Sequence, residues 1–381
     1  MDFELTNEQK DIQKAAREFA EGEFPDIALD VDQKEEFPME LWKRASKLGF
    51  IGLSIKEQYG GGGLGVLEEG LVMEEFWKVD PGCGCILITT FGVTPIQNYG
   101  NEEQKQKYLP PLCNGGAIMG TAITEPDAGS DVFGIRTAAR KEGDEYVISG
   151  SKMFTTNGCL GNYIGIFCVT NPEVKSRTDR YSLIMVETDR MGYEATKIHG
   201  KMGIRASETT EVALSDVRVP KENLIGQEGK GFELVMNLFN FARIWAASQG
   251  IGVAQGALNK AIAHMKKRYA FGRPIGSFQT LQFKIADMAT MIECGRSLFF
   301  KSAYMYDSGI VDTKLIAMAK WYCGEVGVRV TDEALQIHGG YGYIAEYDIE
   351  RFYRAAKIVE IYEGTKEIDK QTIATAILGK L

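Results

Sequence analysis

The feature that most constrains the fold is a change in hydrophobic periodicity, which occurs twice along the 381-residue chain. In the last third, apolar residues recur at spacings of three and four, which places them on one face of a helix. Three long segments have this spacing: Gly231 to Tyr269, Phe278 to Ser308 and Thr313 to Gln336. Long antiparallel helices of this kind pack as a bundle, and a further segment, Glu367 to Leu378, completes a predicted four-helix bundle.

The first 119 residues have helical patterns on a smaller scale. Thr6 and Gln9 match a capping box at the start of one helix, and Pro38 suits the first turn of another. Further helices are predicted for Glu68 to Lys78, for a segment after Cys85 and for Glu102 to Leu112. We therefore expect a small helical domain at the N-terminus.

The central region has short alternating or β-branched runs, separated by turn-forming Gly, Asn, Asp and Pro. The runs are Tyr146 to Ile148, Tyr163 to Val169, Tyr181 to Val186 and Val212 to Val219. This pattern predicts a β-barrel or a β-sandwich. The expected protein is thus multidomain α+β, with an N-terminal helical domain (1–119), a central β-domain (120–226) and a C-terminal four-helix bundle (227–381).

Charge and composition argue against several functional classes. The net charge is −9 and no Lys/Arg cluster occurs, so no binding to nucleic acid is expected. The seven cysteines are odd in number and scattered, which suits a reduced compartment. The chain begins Met1-Asp2-Phe3-Glu4 and has no apolar run of about 18–20 residues. These features predict a cytoplasmic protein without a signal peptide or membrane insertion.

Familiar metal and nucleotide motifs are poorly supported. Gly60, Gly62 and Gly65 match G-x-G-x-x-G, but they lie in or beside four consecutive glycines and lack a surrounding strand–helix–strand unit. Cys83-Gly84-Cys85 has no companion ligands at metal spacing, so no metal site is predicted. With only three histidines in the chain, a carboxylate is the favoured general base.

Five segments carry candidate ligand-binding residues. Four are rich in glycine, hydroxyl or aromatic residues and each fits a surface turn equally well: Ile123–Asp131, Met153–Gly158, Arg268–Pro274 and Gln336–Tyr343. The fifth is Ile361–Thr365, where Glu363 lies between Tyr362 and Gly364, ahead of a helix that Thr365 can cap. Taken alone, Glu363 also fits a charge at a solvated helix end.

Together and in this order, the five segments resemble the acyl-CoA dehydrogenase family over essentially the full length, especially its bacterial short-chain members. The resemblance implies non-covalent FAD, a homotetramer, and an electron-transfer flavoprotein as electron acceptor. It implies that an acyl-CoA is converted to the 2-enoyl-CoA. Glu363 would take the α-proton, while the β-hydrogen would leave as hydride to N5 of FAD.

The resemblance also assigns binding residues by position. The FAD set is Ile123, Thr124, Gly129, Ser130, Phe154, Thr156, Thr365 and Glu367, with Arg268, Phe271, Gln279, Gln336, Gly339 and Gly340 on the FAD of a neighbouring subunit. The substrate set is Ser130, Asn240, Arg243 and Gly364. Four positions depart from the family pattern. Phe154 stands where the family often has Trp, Asn240 and Ala355 replace aspartates, and Glu367 is an acid beside the expected FAD phosphates, where it also fits a helix cap alone.

Two other functions remain open, and so does the acyl group. The chain could be an enoyl-CoA reductase in a complex with an electron-transfer flavoprotein, or a non-catalytic acyl-CoA-binding homologue. Four bulky residues favour a compact acyl group, although they fit an ordinary core equally well: Phe91, Phe239, Phe241 and Trp245. Cyclohexane-1-carboxyl-CoA and butyryl-CoA are the two substrates considered; the direction and the electron acceptor are not fixed by the sequence.

Overall fold

The computed structural model describes residues 4–379, so the Met1-Asp2-Phe3 part of the N-terminal expectation lies outside the described residues. Seven helices form the N-terminal region: α1 (Asn7–Glu23), α2 (Ala28–Lys34), α3 (Met39–Lys47), α4 (Val66–Val79), α5 (Pro81–Gly84), α6 (Val93–Tyr99) and α7 (Glu102–Cys113). The capping box of Thr6 and Gln9 opens α1, as predicted. Pro38 immediately precedes α3, and the segment from Cys85 is a 3-10 turn followed by α6.

The central region is one curled sheet of seven strands: β1 (Met119–Ala122), β2 (Ala138–Glu142), β3 (Glu145–Thr156), β4 (Tyr163–Val169), β5 (Tyr181–Glu187), β6 (Tyr193–Lys197) and β7 (Thr209–Pro220). The strand order is β1-β4-β2-β3-β7-β6, with β5 paired to β4. The predicted β-domain is confirmed. The sequence pattern did not predict β1, β2 and β6, because β1 is short and wholly buried, whereas β2 has a single buried residue and β6 has none.

One sequence prediction in this region is wrong. The composition of Met153–Gly158 fits a surface turn, but β3 continues to Thr156. The pairing of β3 with β7 shifts between Lys152 and Thr155, and Phe154 within this bulge has φ 57°. A bulge bends a strand and redirects a side chain without ending the pairing.

The C-terminal region is helical. Among the described residues, its only strands form one short hairpin, in which β8 (Tyr269–Ala270) pairs with β9 (Arg273–Pro274). Its helices are α8 (Gly231–Lys267), α9 (Gln279–Asp307), α10 (Thr313–His338), α11 (Ile349–Ala356) and α12 (Lys366–Leu378). The predicted bundle is confirmed. No helix within residues 4–379 has the length and apolar character that crossing a bilayer requires.

The long helix α8 connects the N-terminal and C-terminal helices. A Cβ at Gly250 would lie 2.5 Å from the carbonyl oxygen of Cys323 in α10, and one at Gly252 would lie 2.6 Å from that of Glu74 in α4. Glycine therefore permits the close approach of α8 to both neighbours. A single cluster of buried apolar residues runs through these helices, so the site described below rests on a continuous core.

Candidate active site

Glu363 lies in a short loop between a 3-10 turn (Lys357–Glu360) and α12. Thr365 caps α12, as predicted, by accepting a hydrogen bond of 3.5 Å from the N–H of Ile368. Glu363 has φ 55° and Gly364 has φ 95°, so two consecutive residues are left-handed. Glycine tolerates that conformation, but glutamate does so at a cost of about 1 kcal/mol or more. Contacts from other elements must therefore hold this loop.

The carboxylate of Glu363 is buried and lacks an internal partner. Its Oε2 has no hydrogen bond among the described residues and is inaccessible to solvent, although the residue as a whole is partly exposed. Burial raises the pKa of Glu363 to about 7, against the opposing pull of Lys320 and Arg243. A buried carboxyl group that titrates near neutral pH is suited to general acid–base chemistry.

The raised pKa predicts that Glu363→Gln makes the folded protein more stable at high pH. Ionisation of a carboxyl group with a raised pKa costs folding free energy, and the cost grows from the unfolded pKa of about 4.3 to the folded value of about 7. We expect a gain of about 1–3 kcal/mol at pH 8 that shrinks toward pH 5. Thermal midpoints of both proteins, with saturating FAD, measure it; a gain that does not rise with pH contradicts the assignment.

Two cationic side chains donate hydrogen bonds to backbone carbonyl oxygens of the Glu363 loop. Nε of Arg243, in α8, donates a hydrogen bond of 3.0 Å to the carbonyl oxygen of Glu363. Nζ of Lys320, in α10, donates to the carbonyl oxygen of Gly364. The structure therefore places Arg243 and Gly364, two of the predicted substrate-binding residues, in the support of the Glu363 loop. Their contact with CoA stays a prediction.

Asn240 lies elsewhere on α8. It lines an open cavity of about 510 Å³ near the start of the helix, together with Tyr99, Asp179 and Lys230. Its predicted role in CoA binding also stays a prediction.

A second buried carboxylate organises the segment Ile123–Asp131. Glu125 accepts hydrogen bonds from the N–H groups of Arg136 (2.7 Å) and Thr137 (2.9 Å). It also pairs at 2.9 Å with Nζ of Lys152, which donates to the carbonyl oxygen of Ile123 as well. These bonds fasten the segment to strand β3.

The start of the segment Ile123–Asp131 therefore lies beside the bulge of β3. The N–H of Met153 donates a 2.9 Å hydrogen bond to the carbonyl oxygen of Thr124, which brings Thr124 next to Phe154. Phe154 is 65% exposed, and a Cβ placed on Gly129 would meet only open space. An uncovered aromatic ring beside an open glycine loop fits a planar ligand such as isoalloxazine.

Asn157, just after the bulge at Phe154, joins the end of β3 to two earlier segments of the chain. Asn157 donates hydrogen bonds from Nδ2 to the carbonyl oxygens of Ile88 (3.2 Å) and Met119 (2.9 Å). Ile88 belongs to the core cluster on which Tyr362 packs. The end of β3 is thereby fixed against the segments of Ile88 and Met119.

The remaining predicted FAD residues form a separate surface group, on the turn between α8 and α9 and at the end of α10. Phe271 is 94% exposed, and a Cβ on Gly339 or Gly340 would meet open space. The Arg268 guanidinium lies 5.2 Å from the ring centre of Tyr341, which connects the two segments. Gln279 begins α9, while Gln336 lies near the end of α10. Their contact with the FAD of a neighbouring subunit stays a prediction.

Three family models match the chain in order: acyl-CoA dehydrogenase N-terminal domain (residues 6–116), middle domain (120–217) and C-terminal domain (229–378). The chain belongs to the acyl-CoA dehydrogenase family. It is accordingly an FAD-dependent oxidoreductase that acts on CH–CH groups, and the exposed Phe154 and the open Gly129 fit that cofactor.

Relatives in this family cover nearly the whole chain. The short-chain-specific acyl-CoA dehydrogenase of Clostridium acetobutylicum is 44% identical, over 99% of this chain and 100% of that protein. The acryloyl-CoA reductase (NADH) of Anaerotignum propionicum is 42% identical, over 100% and 97%. A caffeyl-CoA reductase-Etf complex subunit of Acetobacterium woodii is 38% identical, over 99% and 100%. The structure of butyryl-CoA dehydrogenase from Megasphaera elsdenii matches with a TM-score of 0.95 at 38% identity, over 99% and 100%.

Sequence reasoning missed several residues that organise this acyl-CoA dehydrogenase site. Lys152 and Lys320 are fully buried lysines, and Asp369 is a fully buried acid. The phenol of Tyr362 donates to Oε1 of Gln249, which the sequence analysis did not single out. A lysine at an inward-facing position of an apolar segment could have indicated a buried ion pair, because a lysine is almost never buried without a partner.

Proposed function

We propose that this acyl-CoA dehydrogenase converts a short-chain acyl-CoA to the 2-enoyl-CoA, with Glu363 as the base that removes the α-proton. The observation that carries the proposal is the buried, unpaired Oε2 of Glu363, whose pKa of about 7 permits proton transfer at neutral pH. Bound FAD would supply the two-electron acceptor. Ile123, Thr124, Gly129, Ser130, Phe154 and Thr156 are the residues of this chain proposed to hold its flavin, with Thr365 and Glu367 beyond the base.

The Glu363 loop offers a second group for the reaction. The backbone N–H of Glu363 donates no hydrogen bond within residues 4–379. Removal of an α-proton places negative charge on the thioester oxygen, and one aimed donor in a dry site is worth roughly 3–4 kcal/mol. We infer that this N–H binds that oxygen. Arg243 and Lys320 hold the loop from the opposite side, through its carbonyl oxygens.

We propose that the side chains between α8 and α4 beside Tyr362 form the end wall of the acyl pocket and that two contacts there keep the pocket short. Nε1 of Trp245 donates to Oε2 of Glu69 at 2.8 Å. One turn further along both helices, Nε2 of Gln249 lies 3.5 Å from Sδ of Met73. The ring of Phe241 packs 4.9 Å from that of Trp245. A wall fixed in this way does not yield to a longer chain without breaking a buried hydrogen bond.

This wall predicts the order of activity within a series of acyl-CoAs. We expect butyryl-CoA to bleach the visible flavin band at least about tenfold faster than octanoyl-CoA, because each methylene that does not fit costs about 1–3 kcal/mol. Cyclohexane-1-carboxyl-CoA, in the same series, tests whether the cavity is wide as well as short. Rapid mixing of each thioester with the anaerobic holoprotein measures the rates. Equal rates for butyryl-CoA and octanoyl-CoA would contradict a short pocket.

Reduction of an enoyl-CoA is the second candidate function, and two relatives favour it. One is an acryloyl-CoA reductase, and another is a subunit of a caffeyl-CoA reductase-Etf complex. A carboxyl group with a pKa of about 7 can donate a proton as readily as accept one, so Glu363 suits both directions. We propose an electron-transfer flavoprotein as the redox partner in either case, and a homotetramer as the assembly. Co-purification with both subunits of that flavoprotein, and turnover with crotonyl-CoA at low potential, would favour reduction.

A further inference from the structure

Three helices each contribute one charged side chain to a buried cluster beneath the Glu363 loop. Asp369 of α12 and Lys320 of α10 are both 0% exposed, and Arg243 of α8 is buried as well. Oδ2 of Asp369 lies 3.2 Å from Nζ of Lys320, and Oδ1 lies 3.4 Å from Nε of Arg243. A buried carboxylate between two cations is a built arrangement, because uncompensated charges are expensive in an interior.

The hydrogen bonds of the two cations run to the loop. Arg243 donates to the carbonyl oxygen of Glu363, and Lys320 donates to that of Gly364. Neither carboxylate oxygen of Asp369 has a well-aligned hydrogen bond within the described chain. Asp369 therefore acts on the two cations mainly through its charge, while the donors stay directed at the two left-handed residues of the loop.

The charge balance of the cluster also acts on Glu363. Arg243 is permanently charged, and Lys320 and Arg243 both pull the pKa of Glu363 down. Asp369 is the opposing acid: burial raises the pKa of its carboxyl group above the ordinary value, and Lys320 and Arg243 limit that rise by stabilising the carboxylate. Glu367, in the first turn of α12, also acts on Asp369, and Tyr362 faces Glu363 itself. Without Asp369, two cations would face Glu363 with one fewer counter-charge.

We propose that Asp369 is a positioning residue for Glu363. It binds Lys320 and Arg243 beneath the loop, so that both cations hold the loop carbonyls and leave the Glu363 carboxylate unpaired. This inference rests on the proposed role of Glu363 as the base and extends it. It assigns to Asp369 the geometry and the ionisation of that base, which act on turnover more than on substrate binding.

Two substitutions test the proposal with opposite signs. In Asp369→Asn the acidic limb of kcat/KM, measured as butyryl-CoA dehydrogenation, should move about one pH unit lower, with kcat reduced on the order of tenfold and KM little changed. In Lys320→Met one of the cations that lower the pKa of Glu363 is lost, so the acidic limb of kcat/KM should move to higher pH. Asp11→Asn, at an exposed position of α1, is the matched control and should leave the profile in place. Loss of packing alone would lower thermal stability without moving the limb.

The outcomes separate this inference from the proposed function. An acidic limb that stays in place in Asp369→Asn overturns the inference while leaving an inactive Glu363→Gln variant to support the base. Wild-type turnover by Glu363→Gln overturns both. If Asp369→Asn does not yield a folded flavoprotein, Lys320→Met decides alone: a limb that moves higher supports the inference, and an unmoved limb overturns it.

Discussion

Replacement of Glu363 by glutamine is expected to lower the rate of butyryl-CoA dehydrogenation by roughly three orders of magnitude while FAD remains bound. Glutamine keeps the shape of the side chain but cannot accept the α-proton. The carbonyl contacts of Arg243 and Lys320 involve only the backbone of the loop, so its conformation should survive. The same variant should be more stable at high pH, which separates loss of chemistry from loss of fold.

Rapid-reaction measurement of flavin bleaching gives the rate of this step directly. Glu21→Gln, at an exposed position of α1, makes the same chemical change far from the site and should behave as wild type. Bleaching by Glu363→Gln within about tenfold of the wild-type rate would show that another group removes the proton.

Glu125→Gln is expected to destabilise the protein by about 3–5 kcal/mol and to weaken FAD binding. The substitution leaves Lys152, which is 0% exposed, without its only ion-pair partner among the described residues. Removal of one charge from a buried ion pair destabilises a protein far more than replacement of both charges by apolar side chains, because it leaves the other charge buried without a partner. The carboxylate also holds the N–H groups of Arg136 and Thr137, so the segment beside Phe154 should loosen.

The double variant Glu125→Gln/Lys152→Met provides the control. It removes both charges, and it should recover part of the stability that Glu125→Gln loses, because no buried charge is then left alone. Thermal midpoints and the flavin content of the purified proteins measure the two effects. A Glu125→Gln protein with wild-type stability and full FAD content would contradict the role assigned to this pair.

Much of the architecture could be predicted because its signals are long. The helical periodicity of α8, α9 and α10 extends over 37, 29 and 26 residues, which is too long to be mistaken for the pattern of a strand. β2 and β6 each have five residues, of which one in β2 and none in β6 is buried, so the pairing with their neighbours defines them, not their composition. The continuation of β3 through Phe154 depends on a shift of register against β7, which is a tertiary feature.

The sequence predicted the motif that contains Glu363, but it did not predict the buried side chains that hold the Glu363 loop. Glu363 stands in a recognisable segment, since Thr365 caps the following helix and Gly364 permits the turn. Arg243, Lys320 and Asp369 meet because three helices pack together, and their separation in the sequence gives no sign of it. The contact of Arg243 with CoA stays a prediction, and its hydrogen bond to the carbonyl oxygen of Glu363 is one that only the folded chain reveals.

Exchange of the α-hydrogen of butyryl-CoA with solvent deuterium tests the central claim most directly, because it reports proton removal by itself. The oxidised holoprotein, incubated without an electron acceptor in D2O, is expected to place deuterium at the α-carbon of the recovered thioester. Glu363→Gln with a full complement of FAD is expected to place none above the rate in buffer. Exchange by that variant at the wild-type rate would contradict the assignment of Glu363 as the base.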